Sequence, residues 1–200
     1  MTPEELRIIV VVYASALIPP LVMINLARKN QLPSSILKIY IVTFVICALG
    51  WEIWFTYGLY AGDPVDLRRS EALNQFIPKN VNWLMNSLAD AGTISLGGIL
   101  LTGRILGSGR AVFNQWNASA FLILLTWCIG QNIFVEMFLY FDQLSAGKDL
   151  SWAPLAPTGP WMNPVLFQFE DRTITLHGQI PWLLMTPILY KVTMYFQKED

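Results

Sequence analysis

The chain has 200 residues, 54% of them hydrophobic and 14% charged, with a formal net charge of −1. So apolar and charge-poor a composition excludes an ordinary soluble domain of this size and points to a membrane protein. With no basic run longer than Arg28-Lys29 or Arg68-Arg69, nucleic acid is excluded as a partner.

A bilayer core about 30 Å thick needs about 20 consecutive apolar residues, and five runs reach that length. The first, Leu6–Ala27, follows the acidic MTPEEL; it is too long for a signal-peptide core and lacks a small-residue cleavage pattern, so it is read as a helix kept with the chain. Pro19-Pro20 is expected to kink it. The second, Ile36–Tyr60, holds Cys47 and ends in LGWEIWFTYG, which sets Glu52 among apolar residues. The third and fourth are Val81–Leu106 and Ala118–Phe141, the latter containing Cys128, and the fifth is Ile174–Phe196 with Pro181 and Pro187. Both cysteines fall inside helices and are read as small packing residues. Gly92, Gly97 and Gly98 are expected to let the third helix approach a neighbour closely.

These runs predict an all-α polytopic membrane bundle of five transmembrane helices forming a single integral-membrane domain over residues 1–200. Two longer outer loops, AGDPVDLRRSEALNQFIPKN and SAGKDLSWAPLAPTGPWMNPVLFQFEDR, connect the helices; the second is read as a compact lid with Trp152 and Trp161 at the membrane interface. Arg28, Lys29 and Lys38 in one connection and Arg104 and Arg110 in another stand unopposed by acids, so those sides are expected to be cytoplasmic, with the N-terminus outside and the C-terminus inside.

Ionisable groups inside helices are costly in a bilayer and need a reason. Counted back from the outer ends at 1.5 Å per residue, Glu52, Asp90, Glu136 and His177 all lie about 6 to 15 Å below the outer surface. On the third helix Asn82, Asn86, Asp90 and Thr93 recur at intervals of three and four; on the fourth Asn132, Glu136 and Tyr140 do so with Gln131 adjacent; on the fifth Thr173 and His177 align. The stripes are expected to face one another around an outward-opening polar hollow. The alternative is that they are interhelical hydrogen-bond pairs that hold the bundle together.

No metal and no cofactor are expected. The chain has one histidine, no Glu-x-x-His pair and no histidine cluster, bis-histidine haem is excluded by that count, and Lys38 and Lys191 sit too near helix ends for a retinal Schiff base. Trp51, Trp54, Trp83 and Trp127 crowd the same region. Aromatic faces beside a carboxyl general acid suit an apolar substrate that passes through a carbocation, because the rings stabilise positive charge and exclude water.

The segment Cys47-Ala-Leu-Gly-Trp-Glu-Ile-Trp-Phe55 resembles the Trp-Glu signature on the second helix of the small integral-membrane terpene cyclases of fungal meroterpenoid and indole-diterpene pathways and their bacterial relatives. Asn82-Trp-Leu-Met-Asn-Ser-Leu-Ala-Asp-Ala-Gly92 is similar to a Trp…Leu-Asp-x-Gly pattern in some of them. The resemblance implies that Glu52 protonates an epoxide or alkene of a polyprenyl chain, with Asp90 as its partner. A looser likeness in kind is to the sterol-isomerase and sigma-receptor group.

The expected function is therefore an integral-membrane enzyme acting on an apolar isoprenoid or sterol-like lipid by carboxylic-acid proton transfer. Its catalytic residues would be Glu52, Asp90, Glu136 and His177, and its substrate-binding residues Trp51, Trp54, Trp83, Asn86, Trp127, Gln131 and Asn132. Membrane lipids and the apolar substrate are the expected partners. The competing expectation is a non-enzymatic accessory subunit or lipid-binding protein with a membrane-protein partner.

Overall fold

The computed structural model describes residues 1–59, 63–139, 163–170 and 172–198. Within them the chain is mostly helical. Four helices are long and apolar enough to cross a membrane: α1 (Pro3–Arg28), α2 (Ser34–Tyr57), then, after the short α3 (Val65–Arg68) and α4 (Glu71–Phe76), α5 (Lys79–Ile105) and α6 (Ala118–Phe138). At 21 to 27 residues each is about 32 to 40 Å long, enough for the hydrocarbon core.

The last helix, α7 (Leu176–Gln197), is also 22 residues long, but His177, Gln179, Thr186, Lys191 and two internal prolines make it more polar than the other four. It is correspondingly interior, burying His177, Gln179, Trp182, Met185, Leu189 and Tyr190. Before it stands an antiparallel hairpin, β1 (Val165–Phe169) and β2 (Arg172–Thr175), so Thr173 and Ile174 belong to a strand and not to a helix. The β-branched and aromatic run VLFQF opposite RTIT favours that pairing. The end of the expected lid thus forms this hairpin, while its part with Trp152 and Trp161, and Tyr60 and Tyr140, lie outside the described residues.

Helix boundaries follow local chemistry. Thr2 and Glu5 close a reciprocal capping box at the start of α1, Oγ1 of Thr2 accepting from the Glu5 amide at 3.2 Å and Oε2 of Glu5 accepting from the Thr2 amide at 2.6 Å. Gly58, at φ 63°, ends α2 in the left-handed region that a side chain disfavours. Asn117 caps α6, its Oδ1 accepting from the Ala120 amide at 3.1 Å. Helix α1 continues through Pro19-Pro20 without a break in helical structure.

Packing joins α1 to α5, α2 to α5 and α7, and α6 to α5 and α7. The polarity is that of a bilayer protein. Leu6, Val10, Ile18 and Leu21 of α1, Leu49 of α2, Leu100 and Ile105 of α5 and Leu122 of α6 face outward, whereas Ser35, Thr43, Asn82, Asn86, Ser87, Ser95, Thr102, Glu136, Gln179 and Thr186 are buried. Hydroxyls buried in helices donate to carbonyls of the preceding turn: Thr43 to Ile39, Ser87 to Trp83, Thr186 to Trp182 and Thr193 to Leu189, each at 2.7 Å. Cys47 and Cys128 are free thiols in the main apolar core beside Tyr40, Leu124 and Trp182.

Small residues set two of the close approaches. A Cβ on Gly92 would lie 2.5 Å from Cβ of Pro19, and one on Gly98 would lie 2.6 Å from Cδ1 of Trp127, so α5 touches α1 and α6 at these points. Gly97 faces open space, with nothing within 4 Å, and is not a packing residue as its neighbours are.

Candidate active site

Both α2 and α5 contain a π-helical stretch, and each holds one of the acids. In α2 it spans Ala48–Glu52 and ends on Glu52; in α5 it spans Asp90–Leu96 and begins on Asp90. Such widened turns occur frequently at functional sites and displace carbonyls from the regular hydrogen-bond ladder. Here a tryptophan from a neighbouring helix donates to a carbonyl in each: Nε1 of Trp83 to Ala48 at 2.9 Å, and Nε1 of Trp127 to Ile94 at 2.9 Å.

A hollow of about 270 Å³, partly open at its mouth, lies between α1, α2, α5, α6 and α7. Its wall contains Glu52, Asp90 and Glu136 together with Asn86, Thr93, Gln131, Asn132, Trp51, Phe55 and Trp182. All three expected carboxyls therefore meet one hollow, as do four of the seven expected binding residues. Trp54, Trp83 and Trp127 are not in that wall: Trp83 and Trp127 turn their indoles to the widened turns, and Trp127 borders a separate groove. The Trp83 and Trp127 indole N–H groups are thus engaged with the backbone of the segments that carry Glu52 and Asp90. Trp83→Phe and Trp127→Phe keep the ring and remove the donor, so each is expected to lower stability by about 1–3 kcal/mol. Melting in detergent followed by near-UV circular dichroism measures the loss; an unchanged midpoint would show that the indole hydrogen bond contributes nothing.

His177 is likewise absent from the cavity wall. It is buried, and its backbone amide donates to Oδ1 of Asn163 at 2.9 Å. Gln179, two positions on, also lies outside that wall but donates from Nε2 to Glu136, and Gly178 between the two turns its backbone to the same carboxyl.

The three carboxyls have different settings. Oδ2 of Asp90 accepts from Nε1 of Trp51 at 2.8 Å, and the Trp51 ring packs on Trp182 with centroids 5.3 Å apart. Glu136 is held in an amide network: Nδ2 of Asn132 donates to Oε1 of Glu136 at 3.2 Å, to the Gly178 carbonyl at 2.8 Å and to Oε1 of Gln179 at 3.0 Å, while Nε2 of Gln179 donates to Oε2 of Glu136 at 3.0 Å. Gly178 has no Cβ because Oε1 of Glu136 occupies that space. Glu52 is 6% exposed, and its Oε2 has no hydrogen-bond partner among the described residues. Asn86 lies alongside, buried and with its side chain within reach of the Glu52 carboxyl.

Glu52 and Asp90 are thus less fully engaged than Glu136, both of whose oxygens accept hydrogen bonds. Among the described residues no group of three or more His, Cys, Asp or Glu side chains converges in the manner of a metal site.

Sequence reasoning overlooked Arg68. Read as a loop residue, it is fully buried on α3, where its NH2 group donates to the Phe55 carbonyl at 2.6 Å and its guanidinium lies 4.6 Å from the Phe55 ring centre. Phe55 is in the cavity wall, and the Arg68 charge is within electrostatic reach of Glu52. Arg69 is buried beside it, donating to Asn74 at 2.7 Å, to Oδ1 of Asn82 at 2.9 Å and to the Ile77 carbonyl. Asn82, counted in the polar stripe of α5, is thereby engaged with Arg69 and stands outside the cavity wall.

Comparison with protein-family models, with curated proteins and with solved structures finds no match.

Proposed function

We propose that this chain is an integral-membrane enzyme that acts on an apolar isoprenoid or sterol-like lipid by proton transfer from a carboxylic acid, cyclising or isomerising it. The observation that carries the reading is the single cavity whose wall combines Glu52, Asp90 and Glu136 with the rings of Trp51, Phe55 and Trp182. Glu52, in its protonated form, donates to an alkene carbon or an epoxide oxygen; a carbocation develops among the aromatic faces; loss of a proton to Glu136 ends the reaction with no net consumption of protons. Asp90, fixed by the Trp51 indole, is the partner of Glu52. The likeness of the Trp51-Glu52 segment to membrane terpene cyclases supports the same assignment.

In this reading α7 is a fifth span, consistent with its length of 22 residues and its packing along α6 and α2. The N-terminus is then outside and the C-terminus cytoplasmic, which the unopposed Arg28, Lys29, Lys38, Arg104 and Arg110 support.

A second reading, an accessory or lipid-binding subunit, is favoured by one observation: the Asn132, Glu136 and Gln179 network joins α6 to α7 as a packing device would. Purifying the chain alone, extracting it with solvent and analysing the extract by mass spectrometry separates the two. A stoichiometric isoprenoid or sterol, converted when supplied afresh, is expected; an obligate larger complex carrying no small molecule would overturn the enzyme reading.

A further inference from the structure

The five helices around the hollow form a ring in which one seam differs from the rest. Going round it, α1 packs on α5, α5 on α2, α2 on α7 and α7 on α6, but α1 and α6 have no packing of that extent. Both nevertheless line the hollow, α1 through Val11 and Ser15 and α6 through Phe134, Val135 and Leu139. Phe134 is 55% exposed while the other wall residues are buried or half-buried, which places the mouth at this seam.

The seam is a slot closed at both ends. At one end the second half of α5 closes on α6, where a Cβ on Gly98 would lie 2.6 Å from Cδ1 of Trp127 and 2.8 Å from Cδ1 of Leu124. At the other, Nη2 of Arg7 on α1 donates to the Phe138 carbonyl of α6 at 2.7 Å. Trp127 and Phe138 are eleven positions apart, so the slot is about 16 Å tall, about half the thickness of the hydrocarbon layer. Its rim is apolar. The two polar side chains there are turned to their own helices, Oγ of Ser15 donating to the Val12 carbonyl at 3.2 Å and Nε2 of Gln131 to the Cys128 carbonyl at 2.9 Å. A hydrocarbon crosses such a rim at no cost in hydration, whereas a charged group would have to shed its water.

We propose that this slot is the portal of the hollow, through which a guest enters sideways from the hydrocarbon layer, and that Arg7 is the strap across its outer end. This rests on the enzyme reading above and assigns the route by which a lipid reaches Glu52. On its other side α1 is tied to α4, Oη of Tyr13 donating to the Phe76 carbonyl at 2.7 Å and Oγ of Ser70 to Oε1 of Glu5 at 2.5 Å. The α6 side of the slot is therefore the one that Arg7 holds. Phe138, whose carbonyl takes the strap, also packs its ring on Phe134 at the mouth, with centroids 4.9 Å apart. Breaking the Arg7 bond frees the end of α6 and the mouth residue together.

The test uses the purified full chain in phosphatidylcholine nanodiscs. Cys47 and Cys128 are fully buried, so the unsubstituted chain serves as the blank. Ala89→Cys places a thiol on the α5 wall of the hollow, and Val10→Cys places a reference thiol on the outward face of α1. Each variant is offered N-hexadecylmaleimide dissolved in the bilayer or a sulfonated maleimide dissolved in water, and alkylation is followed by intact mass. The lipid-borne reagent is expected to react with Ala89→Cys at least about tenfold faster than the sulfonated one. Val135→Trp narrows the slot and should slow that reaction at least about tenfold while leaving Val10→Cys unaffected. Val11→Trp narrows it from the other helix and serves if Val135→Trp does not fold. Arg7→Ala should speed the reaction at least about twofold. A sulfonated reagent that reaches Ala89→Cys as fast as the lipid-borne one reveals an aqueous mouth and overturns the proposal. So does a rate undiminished in the folded slot variants, or no reaction at Ala89→Cys where Val10→Cys reacts. An unchanged rate in Arg7→Ala removes the strap. Entry through the slot without turnover of any prenyl or sterol lipid would sink the enzyme reading and leave the portal standing; turnover with entry from water would do the reverse.

Discussion

Glu52→Gln is expected to lower turnover of a prenyl epoxide or alkene by about 10²–10⁴-fold, the range contributed by a positioned general acid, while leaving the detergent melting temperature nearly unchanged. The amide matches the carboxyl in shape and offers both a donor and an acceptor to Asn86, but has no acidic proton to give. The contrast between rate and melting temperature carries the meaning. Were Glu52 only a packing residue, function and stability would fall together; were turnover preserved, Glu52 would lose the role of acid. Because Oε2 of Glu52 has no hydrogen-bond partner among the described residues, the substitution breaks no such contact of that oxygen, which separates this variant from changes at Glu136.

A large loss of stability is expected from Gly92→Val. The new Cβ would fall 2.5 Å from Cβ and 2.7 Å from Cγ of Pro19 and 3.3 Å from the Tyr40 ring, and a proline ring inside a packed helix cannot rotate away. Relief requires α1 and α5 to move apart, at a cost of about 1–3 kcal/mol or more. Gly97→Val, five positions along the same helix, meets nothing within 4 Å and is expected to shift the midpoint little. Thermal melting of the pair in one detergent checks this; equal losses would trace the effect to helix propensity and not to the α1–α5 contact.

The features legible in the sequence were those carried by spacing. Asn86, Asp90 and Thr93, at intervals of four and three, do share the side of α5 that meets the cavity, and Asn132 and Glu136 do so on α6. Membrane-length helices were legible because hydropathy summed over twenty residues is a strong signal. Partner choice was not. Trp83 and Trp127 look like pocket aromatics because an indole is both an apolar plate and a donor, and only the carbonyl at the far end of the hydrogen bond reveals which property is used. Arg68 was hidden by its neighbourhood, a charged stretch read as solvated loop in which a fully buried guanidinium leaves no periodic trace. Gln179, which meets Glu136 from α7, was not singled out, because an uncharged amide near a helix start carries no titratable signal to mark it.

The widened turns at Ala48–Glu52 and Asp90–Leu96 have a bearing on how these helices are compared with others. A π turn carries one residue more than an α turn, so the angular phase of every later side chain is set back by about 100° relative to an uninterrupted helix. Projections drawn straight through Glu52 or Asp90 assign wrong faces to everything downstream and need a fresh origin after each break. A one-residue deletion there would leave Ile53–Tyr57 or Gly97–Ile105 helical and apolar, yet swing those residues a quarter-turn or more away from their present neighbours.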